Sequence, residues 1–275
     1  MTRRGQEWPM NKSVILVTGA SAGIGHECAN RLASAGWTVI GASRRGSSGA
    51  SWQGVEMNVD HDDSVKSAFD HILAEHGQLH AVLTCAGWGL AGAAENTPIE
   101  DAQAQFETNF WGTVRVVHAA LPTLREHGGG RIVLMSSIGG ILGIPYQAFY
   151  SASKFALEGY AESLAYEVAP FNVHVTLVEP GNLKTGFTAA RTKVRVGDDD
   201  PYRAACEKAI FVMERDEFNG ADPVDVARVV EKVLRSAKPP RRVSVGKFDE
   251  RMGVIGKRLL PFRFFERAAK GSLGV

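Results

Sequence analysis

The stretch SVILVTGASAGIG, residues 13–25, decides how this chain is read. Its first half, SVILVT (13–18), is a continuous apolar run, the pattern of a strand buried on both faces of a sheet. TGASAGIG (18–25) follows, and a helical stretch then runs from about Gly25 to Ala35, closed by Gly36. Gly19, Gly23 and Gly25 permit positive φ, close approach of the backbone to a pyrophosphate and tight helix–strand packing. The helix behind them presents free N–H groups and a positive dipole end to phosphates. The spacing is GxxxGxG rather than GxGxxG, so the strand before and the helix after carry the reading. A glycine turn that binds nothing is the alternative.

Working outward, strands are expected at WTVIGA (37–42), near 54–59, and at LHAVLTCA (79–86), GRIVLMSS (130–137), VHVTLVEP (173–180) and RRVSVG (241–246). Helices are expected at about 62–76, at 99–121 with a stop near Pro122, and at 149–169. A further helix at 222–236 is opened by Asp222, Pro223 and Asp225. Strands alternating with helices of this length imply right-handed crossovers: an α/β fold, one Rossmann-type doubly wound domain with a mostly parallel sheet, spanning 13–246. Residues 1–12 form an N-terminal extension. Residues 181–220, with little strand signal, read as a substrate loop with short helices. Residues 247–275 read as a basic amphipathic tail.

Composition excludes several classes. The 275 residues are 44% hydrophobic and 22% charged, which is ordinary for a globular chain with a substantial core. With 31 Lys+Arg against 30 Asp+Glu there is no broad basic field for nucleic acid. No apolar run reaches the roughly 18 residues of a membrane span, and the first residues lack the apolar stretch of a secretory signal. Cys28, Cys85 and Cys206 have neither metal nor disulfide spacing, and the histidines form no cluster. No metal is expected, and a reduced, cytoplasmic location is.

Cofactor choice is written at the end of the second strand. A site for NAD would place Asp or Glu there to accept from the ribose 2′-OH. This chain has Ser43, Arg44 and Arg45. Guanidinium groups pair with a 2′-phosphate that a carboxylate would repel, so NADP (NADPH) is favoured over NAD. Solvated loop arginines are the alternative. Asn58 and Val59 close the third strand, where an adenine would sit.

Tyr150 and Lys154 in YSASK stand four apart at the start of a helix, hence on one face. A free phenol is a poor base at neutral pH. A neighbouring ammonium stabilises the phenolate, so Tyr150 is expected to exchange a proton with an alcohol oxygen. Ser137, just past a strand end, is placed to hold that oxygen.

These motifs resemble the short-chain dehydrogenase/reductase family. The likeness covers about 13–190 at TGASAGIG (18–25), CAG (85–87), Asn109 in NFWGT, SSIGG (136–140), YSASK (150–154) and EPG (179–181). It implies a seven-stranded sheet and hydride transfer between a nicotinamide and a carbonyl or alcohol carbon. By resemblance, Ser137 orients substrate, Tyr150 is the acid/base, Lys154 binds the nicotinamide ribose and tunes Tyr150, and Asn109 holds a relay water. Gly19, Ser21, Gly23, Ile24, Gly25, Ser43, Arg44, Arg45, Asn58, Val59, Cys85, Ala86, Gly87, Tyr150, Lys154, Pro180, Gly181 and Thr185 would contact the cofactor, with Thr185 on the carboxamide. Ser137, Ile138 and Tyr150 would contact substrate. Cys85 stands where the family usually has Asn, and Asn58 where it often has Asp.

Residues 137–187 are similar to the branch with 17β-hydroxysteroid and retinol dehydrogenases. Ile138, Ile141, Leu142, Ile144, Tyr146 and Phe149, with Trp88 and with Phe187, Phe211, Val212, Met213 and Phe218, are candidate walls of an apolar pocket. A lipophilic carbonyl or alcohol substrate is therefore expected. A non-catalytic dinucleotide sensor or scaffold and a broad-specificity carbonyl reductase are the alternatives. From 241 to 275 there are 9 Lys+Arg and 3 Asp+Glu, interleaved with Leu259, Leu260, Phe262, Phe264 and Phe265. Packing of this tail on its own domain or a second subunit is favoured over peripheral membrane contact. A homodimer or homotetramer paired through 99–121 and 149–169 is expected from the resemblance.

Overall fold

The computed structural model describes residues 13–259, with Pro261, Arg263, Glu266, Arg267 and Gly271 beyond them. The extension at 1–12 and most of the tail after Leu259, including Leu260, Phe262, Phe264 and Phe265, lie outside the described residues.

The strands are β1 (Val14–Thr18), β2 (Thr38–Ser43), β3 (Gln53–Glu56), β4 (Ala81–Thr84), β5 (Leu90–Ala91), β6 (Gly130–Met135), β7 (Val173–Pro180), β8 (Thr192–Lys193) and β9 (Arg242–Val245). Seven of them form one sheet in the order β3-β2-β1-β4-β6-β7-β9, with every pairing parallel. β5 and β8 pair separately, also in parallel. The helices are α1 (Gly23–Ser34), α2 (Asp62–His76), α3 (Ile99–Phe106), α4 (Thr113–Glu126), α5 (Ala148–Glu167), α6 (Phe187–Ala190), α7 (Arg203–Phe218), α8 (Pro223–Arg235) and α9 (Phe248–Leu259).

Alternation along β1 shows why its apolar run is unbroken. Ile15 and Val17 pack with Cys28 and Leu32 of α1 and Val226, Val230 and Leu234 of α8. Val14 and Leu16 face the other way, toward Phe69 and Ile72 of α2, Val117 and Leu124 of α4, and Leu157 of α5. Local signals set the ends. Asp222 caps α8 by accepting from Val224 N at 2.8 Å, and Gly77 ends α2 at a φ of +71°.

Three expectations are corrected. The helix expected to stop near Pro122 continues to Glu126. Proline removes only the N–H that would reach the His118 carbonyl, and His118 lies on the exposed face while Leu124 is fully buried against the sheet. Helical structure through 99–126 is also interrupted by a π-helical turn at Glu107–Gly112. The third strand ends at Glu56 rather than near 59. Finally, the 181–220 segment is no open loop, because 16 of its residues form α7. Cys206, Ala209, Ile210 and Met213 of α7 make a separate small core with Ala91, Ile144 and Tyr146.

Candidate active site

The order of strands reverses between β1 and β4, so a crevice opens beyond their carboxyl ends. The glycine turn lines it. Gly19 has a φ of +67°, and a Cβ there would lie 2.9 Å from Ala86 N. A Cβ on Gly25 would lie 2.4 Å from the Gly19 carbonyl oxygen. These two glycines are required for packing. Gly23, at a φ of +56°, instead faces open space in which the nearest group is Thr185 Cβ at 3.8 Å. Ser21 and Ala22 are exposed at the rim. α1 opens at Gly23 with no side-chain cap and no acidic residue in its first turn, so its leading N–H groups are free for an anion. The cradle fits a dinucleotide, with Gly23 and Thr185 flanking the space, while Ile24 packs against the core.

Cys85 and Ala86 follow β4, and both their N–H groups donate to Thr18 Oγ1 at 3.1 Å. The β1 threonine thus holds the backbone of the CAG turn. The Cys85 thiol meets the buried Cys28 thiol, a contact that, with burial, pushes the Cys28 thiol up from its usual range. Gly87 is packed tightly: a Cβ would lie 3.0 Å from Asn109 Oδ1 and 3.9 Å from Lys154 Nζ.

At the end of β2, Ser43 is buried and its Oγ accepts from Ser47 N at 3.3 Å. Arg44 and Arg45 are exposed, and neither makes an ion pair among the described residues. Asn58 Oδ1 accepts from Asp60 N at 3.2 Å. Val59 is buried against Gly112.

The proton-handling groups converge between β6 and α5. Ser137 caps a 3-10 turn at Ile138–Gly140 by accepting from Gly139 N at 3.0 Å, and its Oγ reaches the Pro180 carbonyl at 3.4 Å. The Tyr150 ring stands beside it, and a Cβ on Gly139 would lie 3.4 Å from Ser137 Oγ and 3.1 Å from Tyr150 Cε1. Burial pushes the phenol above its ordinary value, partly offset by the Ser137 hydroxyl. Lys154 lies one turn on, buried, its ammonium donating to the Met135 carbonyl at 2.9 Å and standing 6.0 Å from the Tyr150 ring centroid. Burial lowers it from 10.5 to about 8. The lowering of Tyr150 expected from the neighbouring ammonium is not seen: burial dominates, and the phenol lies above its ordinary value. Here the phenol is protonated at neutral pH, the form that donates.

Asn109 is fully buried on the π-helical turn. Its Oδ1 accepts from Trp88 N, and its Nδ2 donates to Trp88 O, each at 3.0 Å. Nδ2 also reaches Ser153 Oγ at 3.2 Å. Both amide hydrogens are thus taken by protein. Pro180 ends β7, and Gly181 N donates to Val245 O at 2.7 Å.

The apolar candidates divide. Phe187 packs edge-on to Tyr150 with ring centroids 5.9 Å apart. Ile144, Tyr146, Val212 and Met213 sit in the α7 core. Phe211 and Phe218, expected to line the pocket, are 66% and 70% exposed and turn outward, Phe218 beneath the Lys184 ammonium. Helical periodicity on α7 sends Cys206, Ala209 and Met213 inward, so these two rings face away.

Several polar groups escaped the sequence reading. Arg191 and Glu217 form a buried ion pair beside Phe187. Glu158, one turn after Lys154, takes the Ser136 hydroxyl, and burial lifts its carboxyl to about 7. Its i+4 spacing from Lys154 was a legible signal. Arg191 carried none, because its place depends on β5–β8 pairing. Glu250 of α9 accepts from Asn182 N and Lys247 N at 2.9 Å each. The start of the tail therefore packs on its own domain: Val254 is buried, Gly253 meets Leu142, and the Lys257 ammonium bonds the Ile141 carbonyl. No helix among the described residues is long and apolar enough to cross a membrane.

A glycine-cradled crevice with serine, tyrosine and lysine converging at its edge defines a dinucleotide-dependent oxidoreductase of carbonyl or alcohol groups. The short-chain dehydrogenase family model matches residues 13–195, and the chain belongs to the short-chain dehydrogenase/reductase family. It is 37% identical over 263 residues to a 3-ketodihydrosphingosine reductase of Bacteroides thetaiotaomicron, covering 95% of this chain and 98% of the relative. It is 34% identical over 250 residues to bovine (Bos taurus) retinol dehydrogenase 8, covering 83% and 80%. Among solved structures, a short-chain dehydrogenase from Streptomyces avermitilis superposes with a TM-score of 0.81 at 31% identity, covering 95% of this chain and 98% of that one.

Proposed function

We propose that the protein is an NADPH-dependent reductase of lipophilic ketones, with the corresponding alcohol as product. The juxtaposition of Ser137 with a buried, protonated Tyr150 carries this reading. A bound nicotinamide supplies the hydride. Ser137 orients the carbonyl oxygen, and Tyr150 donates a proton to that oxygen as charge develops on it. Lys154, held by the Met135 carbonyl, replenishes positive charge and protons behind the phenol. Burial of Tyr150 and packing of Phe187 against it exclude water from the reacting edge.

Arg44 and Arg45, exposed and without an ion pair among the described residues at the end of β2, support a 2′-phosphate and hence NADPH. Gly19, Ser21, Gly23, Ile24 and Gly25 receive the pyrophosphate; Pro180, Gly181 and Thr185 flank the nicotinamide side. The names of the relatives, one a reductase of a keto-sphingoid and one a dehydrogenase of retinol, support a lipophilic substrate. Exposed Trp111, Phe155 and Tyr166 on the expected pairing helices support self-association, which light scattering on the purified protein tests.

The decisive assay follows NADPH and NADH oxidation with steroid, retinoid, long-chain keto-lipid and small polar carbonyls. Turnover with NADPH and a lipophilic ketone is expected. A strict NADH preference overturns the cofactor assignment, and turnover of small polar carbonyls alone overturns the substrate class.

A further inference from the structure

Arg191 is the most conspicuous polar group near Tyr150 to which the reductase reading gives no task. It sits between α6 and β8, and its side chain is completely buried. Nη2 binds a Glu217 carboxylate oxygen, while Thr188 Oγ1 donates to the other at 2.5 Å. Nε and Nη1 have no hydrogen-bond partner among the described residues. Buried guanidinium N–H groups left unpaired are costly, and their natural complement is an oxygen that arrives with a ligand.

The position is fixed from several sides. Thr192 N donates to Gly89 O at 2.9 Å, placing Arg191 against the segment that Asn109 holds at Trp88. Its Cζ lies 5.7 Å from the Phe187 ring centroid, and that ring meets Tyr150. The charges of Glu217 and Arg191 both act on the Tyr150 hydroxyl, in opposite senses. The ion pair and the phenol therefore flank the same Phe187 ring. Because Glu217 already balances the guanidinium, a neutral oxygen supplies the missing lone pairs without leaving a net buried charge.

We propose that Arg191, steadied by Glu217, receives a hydroxyl or carbonyl oxygen of the substrate close to the ketone that Tyr150 protonates, so that preferred substrates are lipophilic ketones bearing a second oxygen near the reacting carbon. The inference rests on the reductase reading. Arg191 is a specificity-determining residue in this account, and substrates lacking the oxygen leave its N–H groups unpaired.

The test compares a long-chain methyl ketone with the hydroxymethyl ketone of equal chain length, using NADPH and kcat/KM for wild type, Arg191→Met and Arg191→Lys. NADPH binding is followed separately by fluorescence. Wild type is expected to favour the hydroxymethyl ketone by about 10-fold or more. Arg191→Met should bring the ratio to about 1, the two ketones being compared within each variant so that any loss common to both cancels. Arg191→Lys, which preserves charge and packing but not the Nε and Nη1 donors, should lie between them. Absence of a preference in wild type, or a preference that survives in both variants, overturns the inference alone. Failure of wild type to oxidise NADPH with either ketone, despite bound NADPH, overturns the reductase reading and the inference with it.

Discussion

The side-chain amide of Asn109 grips both polar backbone atoms of Trp88, Oδ1 taking its N–H and Nδ2 giving to its carbonyl, each at 3.0 Å. This two-point clamp joins the π-helical turn to the segment leading into β5. Because β5 pairs with β8, the clamp also fixes the strand that directly follows Arg191. A residue expected to hold a relay water thus has a defined architectural task.

Asn109→Leu should unfold more easily by roughly 1–3 kcal/mol, since it leaves the Trp88 N–H without its partner while the Trp88 carbonyl keeps only Gln105 Nε2 at 3.0 Å. Urea denaturation measures this. An unchanged midpoint would mean that Trp88 finds other partners.

Replacing Arg44 and Arg45 together by alanine should lower kcat/KM for NADPH by about 10–100-fold, the worth of one or two charge-assisted contacts to a phosphate. The value for NADH should stay within about threefold. Equal losses with the two nucleotides would assign the arginines a structural role instead.

Gly19→Ala places a side chain at a φ of +67° and a Cβ 2.9 Å from Ala86 N. A stability loss of more than about 1 kcal/mol is expected, with NADPH affinity falling as the turn is displaced. Calorimetry and fluorescence titration read the two effects, and wild-type values for both would contradict the packing described.

Lys154 is lowered from 10.5 in the unfolded chain to about 8 in the folded one. Between those values the unfolded state binds the extra proton, so this group makes stability rise with pH across the window; below about 8 its destabilising effect is complete. The rise is worth roughly 3 kcal/mol. Lys154→Met should lack it, which denaturation of the two proteins near pH 7 and near pH 10 reveals as a difference of differences. Parallel pH profiles would show that Lys154 is not buried as described.

Much of this was legible in the chain itself. The apolar run ending at Thr18 and the glycines after it specify a strand, a turn and a helix with no long-range information, and Tyr150 and Lys154 share a face by spacing alone. Other features depend on contacts between distant segments. Pro122 reads locally as a stop, yet burial of Leu124 outweighs one lost hydrogen bond. The 203–218 segment has weak amphipathic patterning, so α7 becomes apparent only when its small inner residues meet Ala91 and Tyr146. Arg191 looks like any loop arginine until β8 pairs with β5. The lowering expected for Tyr150 fails for a related reason: helical spacing gives the neighbour but not the desolvation, which raises the phenol while the Lys154 ammonium is directed at the Met135 carbonyl.

The most direct test of the central claim is a single-turnover measurement with Tyr150→Phe, NADPH and a ketone that wild type reduces. Loss of the phenol should slow NADPH oxidation on the order of 10³-fold, while fluorescence shows NADPH bound as tightly as in wild type. Oxidation at the wild-type rate would contradict the assignment of Tyr150 as the proton donor.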